Sequence, residues 1–312
     1  MTVKKRVLLI GGACTELSMQ VREFANGDGE VCEPLSYQIL PGGAVALGAV
    51  AVSRLGGEAI LCSAVGDDEY GKELCAFFGD LGMDTRFVKT VKGEKTALDV
   101  TAEDGSGTRR VYKSTAMLGA IDTDLVEDAF TAEPDAVYVS LDIPAESAAR
   151  AAELAREKKI PVFFDGQRMS PDFPLETLGV IDLVALSPEM TEHFTGISPR
   201  NANSNLHAAV ELHKRLRSKT YLFKYGVGGA FCYKGNFSYY VPYVEDADAR
   251  YAELLVPAMI IENLRSGKSV RAVRYASTVI AVASKKGGIP ILNVPTETEV
   301  LRYILEYDVE LG

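Results

Sequence analysis

The chain alternates short apolar runs with longer segments in which apolar residues recur every three or four positions. The apolar runs are typical of strands that are buried on both faces, and they lie at 6–12, 58–66, 136–142, 161–165, 181–187 and 220–226. The periodic segments predict amphipathic helices at 70–82, 145–158 and 205–217. Because the two kinds of segment alternate, the pattern predicts a mostly parallel sheet with helices on both faces, which is a three-layer α/β/α sandwich.

Two regions, at approximately 15–40 and 93–117, do not follow this alternation. They read as strands and turns, and the second contains the turn sequence DGSG between two segments of strand character. These regions predict a small antiparallel flap, a β-lid, added to the α/β body. Since neither an internal repeat nor a low-complexity linker is present, we predict one domain that spans residues 1–312.

Composition and charge narrow the classes of partner. The formal net charge of -10 disfavours binding to nucleic acid, and the longest apolar runs are too short to span a membrane. The five cysteines are scattered without a CxxC pair, and the three histidines show no metal-ligand spacing. We therefore expect a cytoplasmic protein with free thiols, without a nucleic-acid or membrane partner, and without a metal site made by these side chains.

The most informative motif is PGGAVALGAVAVSRLGGEAILCSAVGDDEYGKELCAFFGDLGMDT, which spans residues 41–85. Gly42 and Gly43 permit a tight turn at which a ligand can approach the backbone, and a helix follows at once. Two glycines before a helix are weak evidence alone. However, the order and spacing of the whole segment resemble the first signature of the ribokinase-like (PfkB) sugar and nucleoside kinases, and the resemblance continues along nearly the whole chain.

This resemblance implies a small-molecule substrate, a sugar or a nucleoside, and the cofactors ATP and Mg²⁺. It places substrate-binding roles on Glu16, where the family usually has Asp, and on Gly42, Gly43 and Arg168. It places nucleotide-binding roles on Lys224, Gly226, Gly229 and Ser277. The exposed edges of the lid strands also suggest a homodimer that forms through the lid.

The resemblance fails at the family's catalytic motif, DTxGAGD. By resemblance, its Gly-Ala-Gly amides stabilise charge on the transferred phosphoryl group, and its last Asp takes the hydroxyl proton. Counting back without a gap from residues 266–268 aligns this motif with DARYAEL. Asp248 then matches the first Asp, residues 251–253 replace the glycine turn, and Leu254 takes the place of the base. Leucine accepts no proton, and losing a general base removes about 10²–10⁴ in rate.

Other family positions are also replaced. The family's Asn-x-x-Glu motif, which by resemblance orders magnesium, aligns with Ser187–Met190, and a substrate-binding Asn aligns with Leu47. A DPNxR segment is shortened to DGQR at 165–168. The leading hypothesis is therefore a carbohydrate-kinase-like protein that keeps a ligand cleft but is catalytically impaired or inactive, and whose binding of ATP and Mg²⁺ is open to question.

Two alternatives stay open. If the alignment is shifted by one residue, Glu253 stands at the base position, and an active ATP-dependent sugar or nucleoside kinase with a rearranged site becomes conceivable; Asp248 or Asp246 would be less suitable bases. Alternatively, the chain is a scaffold without a ligand, in which case side chains such as Tyr251, Leu47 and Met190 would fill the cleft.

Overall fold

The computed structural model describes residues 4–25, 27–235, 237–242 and 248–312, so Asp246 lies outside the described residues. The strands are β1 Arg6–Ile10, β2 Cys14–Val21, β3 Pro34–Gly42, β4 Glu58–Gly66, β5 Asp84–Val91, β6 Leu98–Glu103, β7 Arg109–Tyr112, β8 Ala136–Ser140, β9 Val162–Asp165, β10 Val180–Leu186, β11 Arg217–Lys224, β12 Ala230–Lys234 and β13 Phe237–Val241. The α-helices are α1 Ala44–Arg54, α2 Glu69–Asp80, α3 Thr123–Ala129, α4 Ala145–Lys158, α5 Pro188–Thr195, α6 Ala202–Arg215, α7 Leu255–Ser266, α8 Ser269–Lys286, α9 Pro290–Asn293 and α10 Glu297–Glu306.

The larger of the two sheets in the described residues has nine strands, in the order β13-β12-β11-β10-β9-β8-β1-β4-β5. The strands from β11 to β5 pair in parallel, and β12 and β13 are antiparallel additions at one edge. The carboxyl ends of the parallel strands therefore meet at one edge of the sheet, which is where ligand clefts form in open α/β folds.

Helices cover both faces of this sheet, because alternate strand residues point to opposite sides. In β1, Val7 and Leu9 pack into one core with α1, α2, α7 and α8, whereas Leu8 and Ile10 pack into the other with α3, α4 and α6. The predicted three-layer α/β/α sandwich is confirmed. No helix among the described residues is long and apolar enough to cross a membrane.

The small sheet consists of β3, β2, β6 and β7, in that order, and it lies within the two regions where the sequence predicts lid strands. The prediction of a purely antiparallel flap is wrong, since β2 and β6 pair in parallel. These two strands are far apart in sequence, so no hairpin dictates their direction. Their register sets Glu16 beside Asp99, which brings two carboxylates to the same face of the small sheet.

Most of the segments predicted from periodicity coincide with elements of the structure. Residues 58–66 form β4 and residues 145–158 form α4 without a change of bounds, and Pro144 stands at the N-cap of α4 as the capping rules lead one to expect. The prediction for 205–217 is displaced: α6 begins earlier, at Ala202, because Asn201 and Ser204 form a capping box that ends the preceding loop.

Candidate functional site

A cleft of about 310 Å³ lies between the small sheet and the body of the molecule. One wall is the inner face of the small sheet, and the other is formed by the turn at Gly42, by the segment after β9 and by the segment before α7. Its lining residues are Glu16, Ser18, Gln20, Ser36, Gln38, Leu40, Pro41, Gly42, Gly43, Leu47, Asp99, Thr101, Glu103, Arg109, Val111, Lys113, Gln167, Arg168, Arg250, Glu253, Ile289, Pro290 and Ile291.

A smaller cavity of about 70 Å³ adjoins the cleft. The two cavities share four lining residues, Gly43, Asp99, Lys113 and Arg168, which therefore mark the neck between them. Asp142 and the backbone at Gly12 line the smaller cavity on the side of the large sheet. The molecule thus offers a two-part space whose junction is strongly charged.

The predicted turn at Gly42 and Gly43 lies at this junction and starts α1. Gly43 has φ of 90°, and a Cβ atom there would come within 2.5 Å of the carbonyl oxygen of Gly12. A Cβ atom on Gly42 would lie 2.9 Å from the Cβ of Glu16. Both positions therefore require glycine, because the end of β3 packs closely against the segment that joins β1 to β2 and against β2 itself.

Glu16, the predicted substrate ligand, lies on β2 and lines the cleft. Its Oε1 accepts a hydrogen bond of 3.0 Å from the hydroxyl of Thr101 on the neighbouring strand β6. This bond orients the carboxylate; its other oxygen accepts no hydrogen bond from the described residues and can accept one from a ligand.

Arg168, the other predicted substrate ligand, is mostly buried at the neck. Its Nη1 donates to Oδ2 of Asp99 at 3.2 Å, and its Nη2 lies 3.9 Å from Oε1 of Glu253. Its Nε has no hydrogen-bond partner within the described part of the chain. Because a buried donor without a partner is unfavourable, this nitrogen is available to a ligand.

Two polar residues of the site, Asp142 and Lys113, are absent from the sequence-based prediction. Oδ1 of Asp142 is buried and has no hydrogen-bond partner among the residues that the structure covers. Burial is the main cause that raises the pKa of Asp142, although the positive charge of Arg168 opposes it. A signal was present: Asp142 follows a buried strand by two residues, as functional residues of parallel sheets commonly do.

The segment before α7 decides which residue faces the cleft. Residues 249–254 form a 3₁₀ helix that continues directly into α7. Leu254 is fully buried in the hydrophobic core, whereas Glu253 lines the cleft and accepts a hydrogen bond of 3.0 Å from Nε2 of Gln167. Of these two neighbours, Glu253 is therefore the residue whose side chain a ligand in the cleft could contact.

The backbone amides of this segment are already engaged. Oδ1 of Asp248 accepts a hydrogen bond of 2.9 Å from the amide of Arg250, and the carbonyl of Asp248 accepts one of 3.0 Å from the amide of Tyr251. The guanidinium of Arg250 also contacts Oδ2 of Asp248 at 2.6 Å. Although burial opposes ionisation, these hydrogen bonds hold the pKa of Asp248 below its usual value.

The cleft is not filled in the way that the ligand-free scaffold hypothesis requires. Of the three side chains named for that hypothesis, Leu47 lines the cleft. Tyr251 is fully buried, and its hydroxyl donates to the carbonyl of Gly288 at 3.2 Å. Met190 packs against the core on the opposite face of the large sheet.

Comparison with known proteins identifies the family. The family model described as pfkB family carbohydrate kinase matches residues 4–249, which is most of the chain. The chain belongs to this family. The match ends at residue 249, within the 3₁₀ helix that precedes α7.

Relatives and solved structures agree with this assignment. The chain is 24% identical to the ribokinase of Haemophilus influenzae over 310 residues, which cover 97% of this chain and 99% of that enzyme. It is 30% identical to fructokinase-1 of Zea mays over 301 residues, which cover 88% of this chain and 91% of that enzyme. The structure of Arabidopsis thaliana ribokinase superposes with a TM-score of 0.82 at 18% identity, covering 97% of this chain and 99% of that chain.

The residues that the pfkB resemblance assigns to the nucleotide lie elsewhere than the cleft. The ammonium of Lys224 is buried and donates to both carboxylate oxygens of Asp165, at 2.7 and 2.9 Å, and to Oε1 of Gln167 at 2.7 Å. The hydroxyl of Ser277 is buried inside α8 and donates to the carbonyl of Val273. These contacts use the hydrogen-bonding capacity of both side chains.

Gly226 and Gly229, the other two nucleotide-binding predictions, begin and follow a 3₁₀ turn after β11. Both have positive φ, 57° and 109°, and a Cβ atom on Gly226 would meet open space. Gly226 is half-buried and Gly229 is buried, and neither glycine lines the cleft described above.

The segment 187–190, which the resemblance aligns with the family's Asn-x-x-Glu motif, has a structural role. The hydroxyl of Ser187 accepts a hydrogen bond from the amide of Met190 and so caps α5. Glu189 is exposed. In the described ranges, no group of three or more His, Cys, Asp or Glu side chains is placed to hold a metal ion.

Proposed function

We propose that this pfkB-family protein binds a sugar or a nucleoside in the cleft and that its phosphoryl transfer is impaired or lost. The names of its relatives support the ligand class, since they include ribokinases and fructokinases, and the Arabidopsis thaliana ribokinase was solved with ribose and ATP. The unengaged oxygens of Glu16 and Asp142 would accept hydrogen bonds from ligand hydroxyl groups.

One observation carries the proposed impairment: just before α7, the amide of Arg250 donates to Oδ1 of Asp248, and the amide of Tyr251 donates to the main-chain carbonyl of Asp248. Backbone amides at the start of such a helix stabilise the negative charge of a transferred phosphoryl group only when they are free to donate to it. Here both amides are engaged within the chain, and Tyr251 and Glu253 add side chains where the family's turn has glycine. Removing one such donor typically costs about 10²–10³ in rate.

The donor set for ATP and Mg²⁺ does not fit the expected pattern. The described residues form no carboxylate cluster for a metal, the ammonium of Lys224 is fully engaged, and the amides before α7 are occupied. We therefore derive no phosphoryl-transfer step for this chain. What its residues supply is a shaped and charged cleft that binds and orients a small polar molecule.

A second candidate function is an active kinase in which Glu253 is the general base. The position of Glu253 favours it, because this carboxylate lines the cleft next to Arg168 and is oriented by Gln167. A base must lie within hydrogen-bond reach of the hydroxyl that it deprotonates, and a ligand bound in the cleft would bring its hydroxyl groups there.

The experiment that separates these functions combines calorimetry with a product assay. Ribose, fructose and adenosine are titrated into the protein, and ATP-dependent phosphorylation is measured beside the Haemophilus influenzae ribokinase. We expect binding of at least one of these ligands with turnover about 10²–10³ below that of ribokinase. The Asp248→Ala variant frees the amide of Arg250 and should bind Mg·ATP more tightly, whereas Asp248→Asn, which keeps the oxygen acceptor, should not.

Two results would contradict the proposal. Failure of all three ligands to bind would remove the ligand-binding function itself. Turnover equal to that of ribokinase would establish the second candidate, provided that Glu253→Gln abolishes it while leaving ligand affinity within a few-fold of the wild-type value.

We also propose that two copies of the chain associate through the outer face of the small sheet. Tyr37 and Tyr112, on β3 and β7, are 65% and 66% exposed on this face, next to Leu35. Exposed apolar patches of this kind commonly mark interfaces. The Tyr37→Lys variant should lower the sedimentation coefficient to that of a monomer at micromolar concentration, whereas Phe237→Lys, an equally exposed aromatic site on β13, should not. A monomeric wild-type protein would contradict this assembly.

A further inference from the structure

The inner face of the small sheet carries more polar positions than the predicted substrate ligand Glu16 accounts for. The strand register aligns these positions in three rows across the sheet, and every member lines the cleft. The first row is Leu40, Glu16 and Asp99, the second is Gln38, Ser18, Thr101 and Val111, and the third is Ser36, Gln20, Glu103 and Arg109. The polar wall therefore continues beyond the first row, which lies nearest to the turn at Gly42.

The three rows give the cleft more length than one sugar ring fills. Strand residues rise about 3.3 Å each, so successive rows lie about 6.6 Å apart and the third row lies about 13 Å from the first. A six-membered sugar ring with bonds of about 1.5 Å spans about 3 Å, or about 6 Å with a hydroxyl group on either side. A monosaccharide bound at Glu16 therefore reaches the second row and leaves the third row uncovered.

Four neutral side chains of the second and third rows have no partner within the part of the chain that the structure describes. They face one another in two pairs, Ser18 beside Gln38 and Gln20 beside Ser36, and we find no hydrogen bond from any of the four side chains to a described residue. Hydroxyl and carboxamide groups both donate and accept hydrogen bonds. This block therefore matches the neighbouring hydroxyl groups of a sugar.

The third row lies close to the body of the molecule. Within the row, Oε2 of Glu103 lies 3.7 Å from Nε of Arg109. On the body side, Arg250 lines the cleft. Hydrogen bonding to Asp248 is the main cause that raises the pKa of Arg250, and the carboxylate of Glu103 raises it further. Glu103 and Arg250 are thus close enough to interact, and the space between them belongs to the cleft.

The lining of the cleft does not suit a flat aromatic group in this space. Among the described residues that line the cleft, none is Phe, Tyr, Trp or His. Proteins that hold an unpaired nucleobase commonly stack it on an aromatic side chain. The two charges of the third row are paired with each other, so this row does not call for an ionic group either. The group that fits beside the second and third rows is neutral and rich in hydroxyl groups.

We propose that the cleft takes a neutral disaccharide, whose first ring binds at Glu16 and whose second ring lies along the second and third rows of the small sheet. This inference rests on the proposed function, because it specifies the ligand that the cleft binds. The second ring forms hydrogen bonds with Gln38 and Gln20, which a monosaccharide at the first row does not reach together.

The test compares ligands that share one sugar unit. Dissociation constants are measured by calorimetry for glucose, methyl glucoside and maltose, and for fructose, sucrose and lactulose. We expect at least one disaccharide to bind about tenfold more tightly than its monosaccharide, because the second ring adds about two hydrogen bonds. Methyl glucoside has the glycosidic bond without the second ring and should bind like glucose. Adenosine and inosine, which carry an aromatic second unit, should bind more weakly than that disaccharide.

The matched variants are Gln38→Ala and Asn203→Ala, since each removes one exposed carboxamide. Asn203 lies on α6 and lines neither cavity. Gln38→Ala should weaken the disaccharide about three- to tenfold and narrow its advantage over the monosaccharide, whereas Asn203→Ala should change neither affinity. Both side chains are exposed, so both variants are expected to fold, and their thermal midpoints check this.

Each outcome decides between the two proposals. If a monosaccharide or methyl glucoside binds as tightly as the disaccharides, or if Gln38→Ala changes the affinities no more than Asn203→Ala does, the disaccharide is refuted while the sugar-binding function stands. If adenosine or inosine binds most tightly, the second unit is a nucleobase, so the disaccharide is refuted and the cleft binds a nucleoside. If none of these compounds binds, both proposals are refuted.

Discussion

Two regions beside the cleft pair their polar groups to different extents. At the neck, which we call the unsatisfied wall, Asp142 and Arg168 each keep a polar atom without a partner in the described structure, and Lys113 is unpaired there. Behind the cleft lining, in the region that we call the satisfied wall, Asp248 binds two backbone amides and Lys224 binds Asp165 and Gln167. The first wall is prepared for a ligand, whereas the second is satisfied by its own residues.

This difference separates the groups that a ligand could contact from those that the protein pairs internally. A wall whose donors and acceptors are internally paired gains stability, but it has no free amide for a phosphoryl group. Unpaired groups in a wall lower the free energy of unfolding, and a ligand that binds them raises it again. Variants on the satisfied wall should therefore change folding, and variants on the unsatisfied wall should change binding.

The largest expected effect lies on the satisfied wall, at the buried ion pair of Lys224 and Asp165. Lys224→Met leaves the carboxylate of Asp165 buried without its cation, which should lower the free energy of unfolding by about 3–5 kcal/mol. The double variant Lys224→Met/Asp165→Leu should regain much of this loss, because no charge is left uncompensated. Urea unfolding measures the free energy of unfolding of both variants. If Lys224→Met unfolds with the same free energy as the wild-type protein, the ion pair does not stabilise the fold.

A smaller effect separates the neighbours Leu254 and Glu253. Leu254→Ala opens a cavity in the core and should cost about 2–5 kcal/mol of unfolding free energy with little change in ligand affinity. Glu253→Gln should leave stability within about 1 kcal/mol of the wild-type value and should alter ligand binding or turnover. Equal effects of the two variants on both ligand binding and turnover would contradict the assignment of Glu253 to the cleft.

The smallest effect concerns the pH dependence at Asp142. Burial raises its pKa in the folded protein above the unfolded value, so the folded state binds this proton more tightly, and stability falls as pH rises from the unfolded pKa through the folded pKa. Asp142→Asn stays neutral and should therefore be more stable than the wild-type protein at pH 7, with the difference shrinking toward pH 4. Urea unfolding across this range checks the sign, and an advantage for the variant that grows toward pH 4 would contradict it.

The sequence predicts much of the fold because the periodicity of its segments is strong. The bounds of β4 and α4 follow from apolar runs and capping residues, which are local signals. The parallel pairing of β2 with β6 could not be predicted in the same way, because it joins strands that are about 80 residues apart and no turn links them directly.

The candidate site was predicted unevenly. The structure places Glu16, Gly42, Gly43 and Arg168 together in the cleft, in agreement with their predicted neighbourhood, and it places Ser277 inside α8 with its hydroxyl engaged. A hydroxyl inside a helix gives no sign in the sequence of whether it bonds to its own backbone or faces a ligand. The binding roles of Glu16, Gly42, Gly43 and Arg168 stay predictions.

By itself, the sequence determined the family, the layered architecture and the glycine turn at Gly42, because these depend on patterns along the chain. Only the tertiary structure decided that Glu253 and not Leu254 faces the cleft. Successive residues of a helix point about 100° or more apart, so a shift of one residue exchanges a position in the core for a position in the cleft. The ion pair of Lys224 with Asp165 likewise depends on the tertiary structure, because the two residues lie at the ends of β11 and β9, which folding brings together.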